Sequence, residues 1–200
     1  MKSTAFLLQF VLLFGSASAQ FSYGFRAGLN FSTETVGSSD YSTSALTAFN
    51  GGVFAAHPIA GSFAARIELS YSGEGTREEY KPTATRGKIQ RGFLRVPVLL
   101  EYRIGQGIYI ETGPQVGFLL SSKENFDGTV TDIKQYYSAA NLGWCLGAGY
   151  RLDGLLKGLG VNLRYARGLT RLNKEDIAGK SLTSSVLSAG LFYTLPFPGR

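Results

Sequence analysis

The chain of 200 residues contains one cysteine and one histidine, and only 17% of its side chains are charged. The single Cys145 excludes an internal disulfide framework, and one cysteine with one histidine cannot form a structural zinc site. The charged fraction lies below the roughly 25% of an average soluble domain. The formal net charge is +6, but no long run of lysine or arginine occurs, so we expect no nucleic-acid partner and no cofactor.

No apolar run of 18 residues occurs beyond the N-terminus, so we predict no transmembrane helix there. The N-terminus itself has the pattern of a secretory signal: Lys2 is the positive region, Ala5–Phe14 is the apolar core, and Ala17–Ala19 is a small-residue cleavage site. A buried or anchoring helix fits less well because the run is short. We predict a signal peptide over residues 1–19 and one domain over residues 20–200.

What the chain has in abundance is alternation of apolar and polar residues. In Leu94–Tyr102 the even-numbered residues are apolar, and Ile108–Phe118 repeats the pattern after a turn at Ile104–Gly107. A period of two with one apolar face is typical of a strand between two environments. Eight such strands are predicted, at about Phe21–Leu29, Thr47–His57, Phe63–Tyr71, Leu94–Arg103, Ile108–Leu120, Asn141–Leu152, Leu159–Ala166 and Ser185–Leu195.

The connections between these strands alternate in length. Long polar segments over residues 31–46, 72–92, 121–140 and 167–183 alternate with short turns. An even number of strands of about nine to eleven residues, joined in this way, is typical of outer-membrane barrels. We predict an all-β fold: a closed, antiparallel, eight-stranded transmembrane up-and-down β-barrel with short periplasmic turns and long external loops.

The charged residues of the strands fall on the side opposite the apolar face. A lipid-facing Arg or Lys near the bilayer midplane costs about 2–4 kcal/mol, so the apolar face is predicted to meet lipid and the charged face the lumen. Eight strands close a barrel that side chains just fill, and we predict no wide pore. The predicted structural network of lumen charges comprises Arg26, Arg66, Glu68, Arg95, Glu101, Arg103, Glu111 and Arg164.

A soluble barrel with an apolar ligand cavity would show the same alternation, so the alternation alone does not distinguish a membrane barrel from a soluble one. The aromatic residues favour the membrane, because they fall into two groups on the apolar faces, as interfacial belts do. One group lies near the short turns and the other near the long loops: Phe21, Tyr23, Phe63, Tyr102, Tyr150 and Tyr193 in the first, and Phe31, Tyr71, Phe118 and Tyr165 in the second.

Few side chains in the chain are of types that could act in catalysis. His57 is followed by Pro58 at a predicted short turn, where a solvated rim histidine is expected instead of a catalytic base. Cys145 has lumen parity and is predicted to be a small packing residue. A surface-site lipid-modifying enzyme is the alternative from another functional class, and we predict that the chain is not an enzyme.

The segment Ser72–Gly92 is the best candidate for contact outside the cell, because it is long and mixes charges with Tyr80 and Pro82. A solvated loop that meets lipopolysaccharide without specificity is the alternative reading. The expected partners are outer-membrane lipids, lipopolysaccharide and an unidentified protein at the external loops, and the chain is expected to be a monomer.

Five stretches together resemble the PorT-type outer-membrane β-barrel proteins of Bacteroidetes. They are FRAGLNFS at Phe25–Ser32, RIELSYSGEG at Arg66–Gly75, LRVPVLLEYRIG at Leu94–Gly105, YIETGPQVGFLL at Tyr109–Leu120 and LRYARGLTRL at Leu163–Leu172. The resemblance implies an integral outer-membrane barrel. It also implies a second alternative, an accessory part of a protein secretion system, because a namesake of the family is tied to a system that exports proteases.

Overall fold

A computed structural model describes residues 21–34, 41–80, 85–126, 128–154, 156–173 and 182–196. The signal peptide predicted for residues 1–19 lies outside these residues and stays a prediction. The elements in chain order are β1 (Ser22–Glu34), β2 (Tyr41–Ala60), β3 (Phe63–Tyr80), β4 (Thr85–Ile104), β5 (Ile108–Phe126), β6 (Thr129–Asp132), the 3-10 turn η1 (Lys134–Tyr136), β7 (Ala140–Arg151), β8 (Leu159–Gly168) and β9 (Ser184–Thr194).

Eight of these strands form a closed antiparallel ring. Each strand pairs with the next along the chain, β5 pairs with β7, and the ring closes where β1 pairs with β9. The short strand β6 pairs with the end of β5 and stands outside the ring. The predicted fold class, a closed eight-stranded up-and-down barrel, is confirmed. Within the described residues, no helix has the length and apolar character needed to cross a bilayer.

Burial in this barrel is inverted relative to a soluble one. The apolar parity of the strands points outward and is exposed, as at Ile67, Val98 and Leu163. The polar parity points inward, so that Glu68 and Arg164 are 2% and 4% exposed. An exposed apolar surface of this extent is stable only in contact with an apolar phase such as lipid. The buried charges are stable only when they form ion pairs with one another.

The strands β2 to β5 extend much further than the sequence analysis predicted, with lengths of 20, 18, 20 and 19 residues. The polar segments at 31–46, 72–92 and 121–140 were therefore wrong as loops over most of their described length. Ser72–Tyr80 continues β3, and the residues from Thr85 to Gly92 form the first part of β4. Above the membrane both faces of a strand meet polar surroundings, so the alternation that marks a strand disappears while the ladder hydrogen bonds continue.

The turn expected at His57–Ser62 is shorter than predicted. Strand β2 continues through His57 to Ala60, with a register shift between Pro58 and Ala60, and the turn itself is Gly61–Ser62. A bulge accommodates a proline that cannot donate to the ladder. The turn between β4 and β5 lies where it was predicted, with Gly105 and Gly107 at positive φ.

Outward aromatic residues of each predicted group lie close to one another across neighbouring strands. In the upper group, Tyr71 and Phe118 both pair with Leu94, and Phe31 and Tyr165 both pair with Leu187. In the lower group, the rings of Phe63 and Tyr102 lie 4.8 Å apart.

The single tryptophan, Trp144, also faces outward, near the level of the upper group. Its indole N–H donates to Thr112 Oγ1 at 2.9 Å. The bond satisfies a polar group that hydrocarbon cannot satisfy.

Candidate functional site: the ion network of the lumen

Glu68, on β3, is the centre of an ion network in the lower half of the lumen. Arg164 Nη1 donates to its Oε2 at 2.7 Å and Arg164 Nη2 to its Oε1 at 2.9 Å. Arg26 Nη1 donates to Oε2 at 3.1 Å, and Arg66 Nε forms an ion pair with Oε1 at 2.7 Å. Three arginines from three strands therefore surround one carboxylate that is 2% exposed.

Two further glutamates complete this cluster. Glu101 and Glu111 are directly opposite one another on β4 and β5, a position in which like charges repel. Arg66 Nη1 donates to Glu101 at 2.8 Å, and Arg164 Nε donates to Glu111 at 2.7 Å. Arg66 and Arg164 thus each bridge Glu68 to one member of the opposed pair. With Arg26, the three arginines and three glutamates have no net charge.

A layer of aromatic rings lies against this cluster. Phe54, Tyr109 and Phe192 are buried and pack edge to face around Phe192. The guanidinium of Arg66 lies 3.7 Å from the centre of the Phe54 ring, a cation–π contact that adds to its ion pairs. The lumen is therefore filled by rings and by charges at adjoining levels.

A second cluster lies closer to the long connections. Arg95 donates to both oxygens of Glu74, at 2.9 and 2.6 Å, and its Nη1 donates to Asn141 Oδ1 at 2.6 Å. Ser72 Oγ donates to Glu74 at 2.9 Å and accepts from Asn30 Nδ2 at 2.8 Å. The bidentate geometry is the strongest form of an arginine–carboxylate pair.

A third pair and an apolar group fill the upper lumen. Arg91 donates to Glu34, and its guanidinium lies 4.2 Å from the centre of the Tyr137 ring. Beside it Phe93, Leu119 and Leu172 form a buried apolar cluster. Leu172 comes from the segment after β8, so the described start of this segment contributes an apolar side chain to the lumen.

Seven of the eight residues predicted for the network are buried in the lumen. Arg103 is half-buried and lines a different pocket, of about 310 Å³, at the short-turn mouth, with Arg151 and Lys157. Three further members of the network were not predicted from the sequence: Glu34, Glu74 and Arg91.

The three missed residues had been assigned to loops. Glu74 and Arg91 have lumen parity in β3 and β4, so continuing the alternation past Tyr71 and above Leu94 would have found them. With them included, the buried charges of the described residues balance, five arginines against five glutamates.

One small cavity lies inside the described part of the barrel. A cavity of about 30 Å³ lies between the two lower clusters, among polar residues that include Asn50 and Gln115. This volume holds about one water molecule.

The residues considered for chemistry lie apart from one another. His57 stacks on Phe21 with ring centres 4.6 Å apart, on the outward side near the short turns. Cys145 is fully buried and packs with Leu99 and Ala166, and its thiol donates to Gln115 Oε1 at 3.2 Å. No cluster of acidic, histidine or cysteine side chains suited to a metal occurs among the described residues.

Outside the membrane, Glu78 and Glu124 face the same space above the lumen. Burial raises the pKa of the Glu78 carboxyl, and the charge of Glu124 raises it further. These two groups are therefore electrostatically coupled at the external end of the barrel.

The closed ring, the outward apolar face and the buried charges define a small transmembrane β-barrel. Residues 15–173 match the family described as outer membrane protein beta-barrel domain, and the chain belongs to this family. The family and the fold together place the chain in the outer membrane, as predicted.

Solved structures share the fold. The chain is similar to Neisserial surface protein A, with a TM-score of 0.56, 15% identity, and coverage of 88% of this chain and 99% of that one. It is also similar to Ail, the attachment invasion locus protein of Yersinia pestis, with a TM-score of 0.52, 12% identity and the same coverage. A search of curated protein sequences found no match.

Proposed function

We propose that this chain is a monomeric outer-membrane barrel with a closed lumen, in which the ion network has a structural role. The observation that supports this most directly is the central cluster, in which Arg26, Arg66 and Arg164 balance the three carboxylates of Glu68, Glu101 and Glu111. Such a set stabilises the barrel only as a whole, because each buried charge depends on its partners.

The same geometry supports a closed lumen. An ion crossing the barrel would have to displace the rings of Phe54, Tyr109 and Phe192 and then separate pairs at 2.7–3.1 Å. Separating buried ion pairs costs several kcal/mol for each uncompensated charge. Water-filled pores, by contrast, are found in barrels with many more strands.

Planar-bilayer recording tests the closed lumen. Purified protein, with insertion verified by the mobility difference between heated and unheated samples on gels, should give no stable conductance steps. A porin inserted by the same procedure is the positive control. Uniform, long-lived steps of porin size from this protein would contradict the proposal.

We further propose a non-enzymatic interaction role for the external extension, defined as residues 42–45, 77–79, 87–90 and 123–126. This continuous sheet presents side chains to the outside on a rigid support, as recognition surfaces require. Co-purification from cross-linked cells tests the role, with a chain that lacks residues 77–88 but keeps Arg91 as the control. Equal recovery of every cross-linked product with both chains would contradict it.

A second candidate is an accessory role in protein secretion. It is supported by the resemblance of five stretches, Leu94–Gly105 among them, to PorT-type proteins of Bacteroidetes. Deletion of the gene should then reduce protease activity in the culture medium, and the intact gene should restore it. Unchanged secretion would remove this candidate and leave the closed-barrel proposal standing.

A further inference from the structure

We propose that the outward face of the external extension binds a phosphorylated saccharide, the chemistry of the lipopolysaccharide core. This inference rests on the proposed function only in that the extension lies outside the cell. The site is a cleft of about 640 Å³ whose lining includes Arg77, Lys88, Glu79, Asn125 and Ser44.

The lining residues form an ordered row across four neighbouring strands. Ser44 pairs with Arg77, Arg77 with Lys88, and Lys88 with Asn125. Side chains at paired positions lie on the same face, about 4.5–5.5 Å apart at Cβ. The row therefore places two cations side by side, with a hydroxyl on one flank and an amide on the other.

The two cations form no ion pair with each other's neighbours in the described residues, and the carboxylates of Glu78 and Glu79 also line the cleft. Both cations are exposed, and neither has an ion-pair partner among the described residues. Lys123, nearer the membrane, differs because its register partner across the β5–β6 ladder is an acid, Asp132. Like charges directly opposite one another destabilise a sheet. A phosphate bound by both Arg77 and Lys88 would attract each cation and offset their mutual repulsion.

The height of the row favours a saccharide over a phospholipid headgroup. Arg77 is six residues beyond Tyr71 of the upper aromatic group on the same strand, which is about 20 Å at the rise of a strand. A tilt of 35–45° reduces this to about 15 Å above the interfacial aromatics. At that distance the outer leaflet presents sugars and their phosphates.

The remaining lining suits sugar hydroxyls. Ser42, Ser44, Asn125 and Glu79 supply hydrogen-bond donors and acceptors around the two cations. Gly87 and Gly128 also line the cleft and add no side chain to it. Cations for the phosphate and small polar groups for the hydroxyls are the two requirements of a sugar phosphate.

Calorimetric titration of the full chain in phosphatidylcholine nanodiscs tests the site. The probe is core oligosaccharide released from lipopolysaccharide by mild acid, used as such and after phosphatase treatment. Wild type should bind the phosphorylated form at least about tenfold more tightly than the treated form. Arg77→Gln with Lys88→Gln should weaken binding by about the same factor, and added salt should weaken it further in wild type.

The matched control is Lys134→Gln with Lys157→Gln, which removes two exposed cations away from the cleft and should leave binding unchanged. The proposal is overturned if wild type does not bind, if phosphatase treatment has no effect, or if the cleft variant binds like wild type. Inorganic phosphate that competes at the same concentration as the oligosaccharide would overturn the saccharide assignment. Bilayer recording on the same preparations is independent, so a conducting barrel would contradict the closed lumen without affecting this result.

Discussion

Replacing Glu68 with glutamine perturbs the lumen network at its centre. The side chain keeps its size, but Arg26, Arg66 and Arg164 lose the carboxylate that they share at 2.7–3.1 Å. Glu101 and Glu111 remain, so the cluster gains one uncompensated positive charge. Breaking a buried ion pair by removing one partner costs about 3–5 kcal/mol, and we expect a loss of that size in the free energy of unfolding.

Urea unfolding from lipid vesicles measures this loss, with fluorescence of the single tryptophan, Trp144, as the signal. Glu79→Gln is the matched control, because Glu79 lies on the same strand in the external extension, where it is half-exposed. Its loss should be about 1 kcal/mol or less. A loss below about 1 kcal/mol for Glu68→Gln would refute the view that the network stabilises the barrel.

The double variant Glu68→Gln with Arg26→Gln separates charge balance from packing. Arg26 pairs with Glu68 in the cluster, and removing both charges restores neutrality. We expect the double variant to lose less stability than the sum of the two single variants. Additive losses would show that neutrality of the cluster does not matter.

Two further predictions concern the outer face and the external end. Leu163→Arg places a charge at an outward position between the two aromatic groups and should lower the free energy of unfolding by about 2–4 kcal/mol. The control Leu163→Ile should lower it by less than about 1.5 kcal/mol. Equal losses would contradict the lipid-facing assignment. Because burial and Glu124 raise the pKa of Glu78, its ionisation destabilises the fold as pH rises from the unfolded pKa through the raised folded value. Glu78→Gln should therefore increase stability at neutral pH and have less effect below the unfolded pKa, and an effect of the same size at both pH values would contradict this.

The barrel could be predicted from sequence because the membrane imposes two different environments on each strand. Residues such as Ile67 and Glu68 then alternate strictly, and the parity of the charges located most of the network. The pairing of individual charges could not be predicted, because which arginine reaches Glu68 depends on strand tilt and register around the ring. Arg103 shows the limit: its parity is that of the lumen, but its position near a short turn leaves it half-buried at the mouth.

The external extension was missed for a related physical reason. Beyond Tyr71, both faces of β3 meet polar surroundings, so composition there resembles that of a loop. A weak signal was present, because Thr76 and Ile89 continue the inward parity and are fully or almost fully buried. The alternation of apolar residues stops at the membrane boundary, whereas the strands and their backbone hydrogen bonds continue beyond it.

The central claim, that the apolar face meets lipid and the charged face fills the lumen, is tested most directly by quenching of Trp144 fluorescence. Trp144 faces outward near the upper aromatic group. Lipids brominated near the glycerol end of the acyl chain should quench it strongly, more than lipids brominated near the chain terminus, and aqueous iodide should quench it weakly. Strong quenching by iodide with none by brominated lipids would contradict the account.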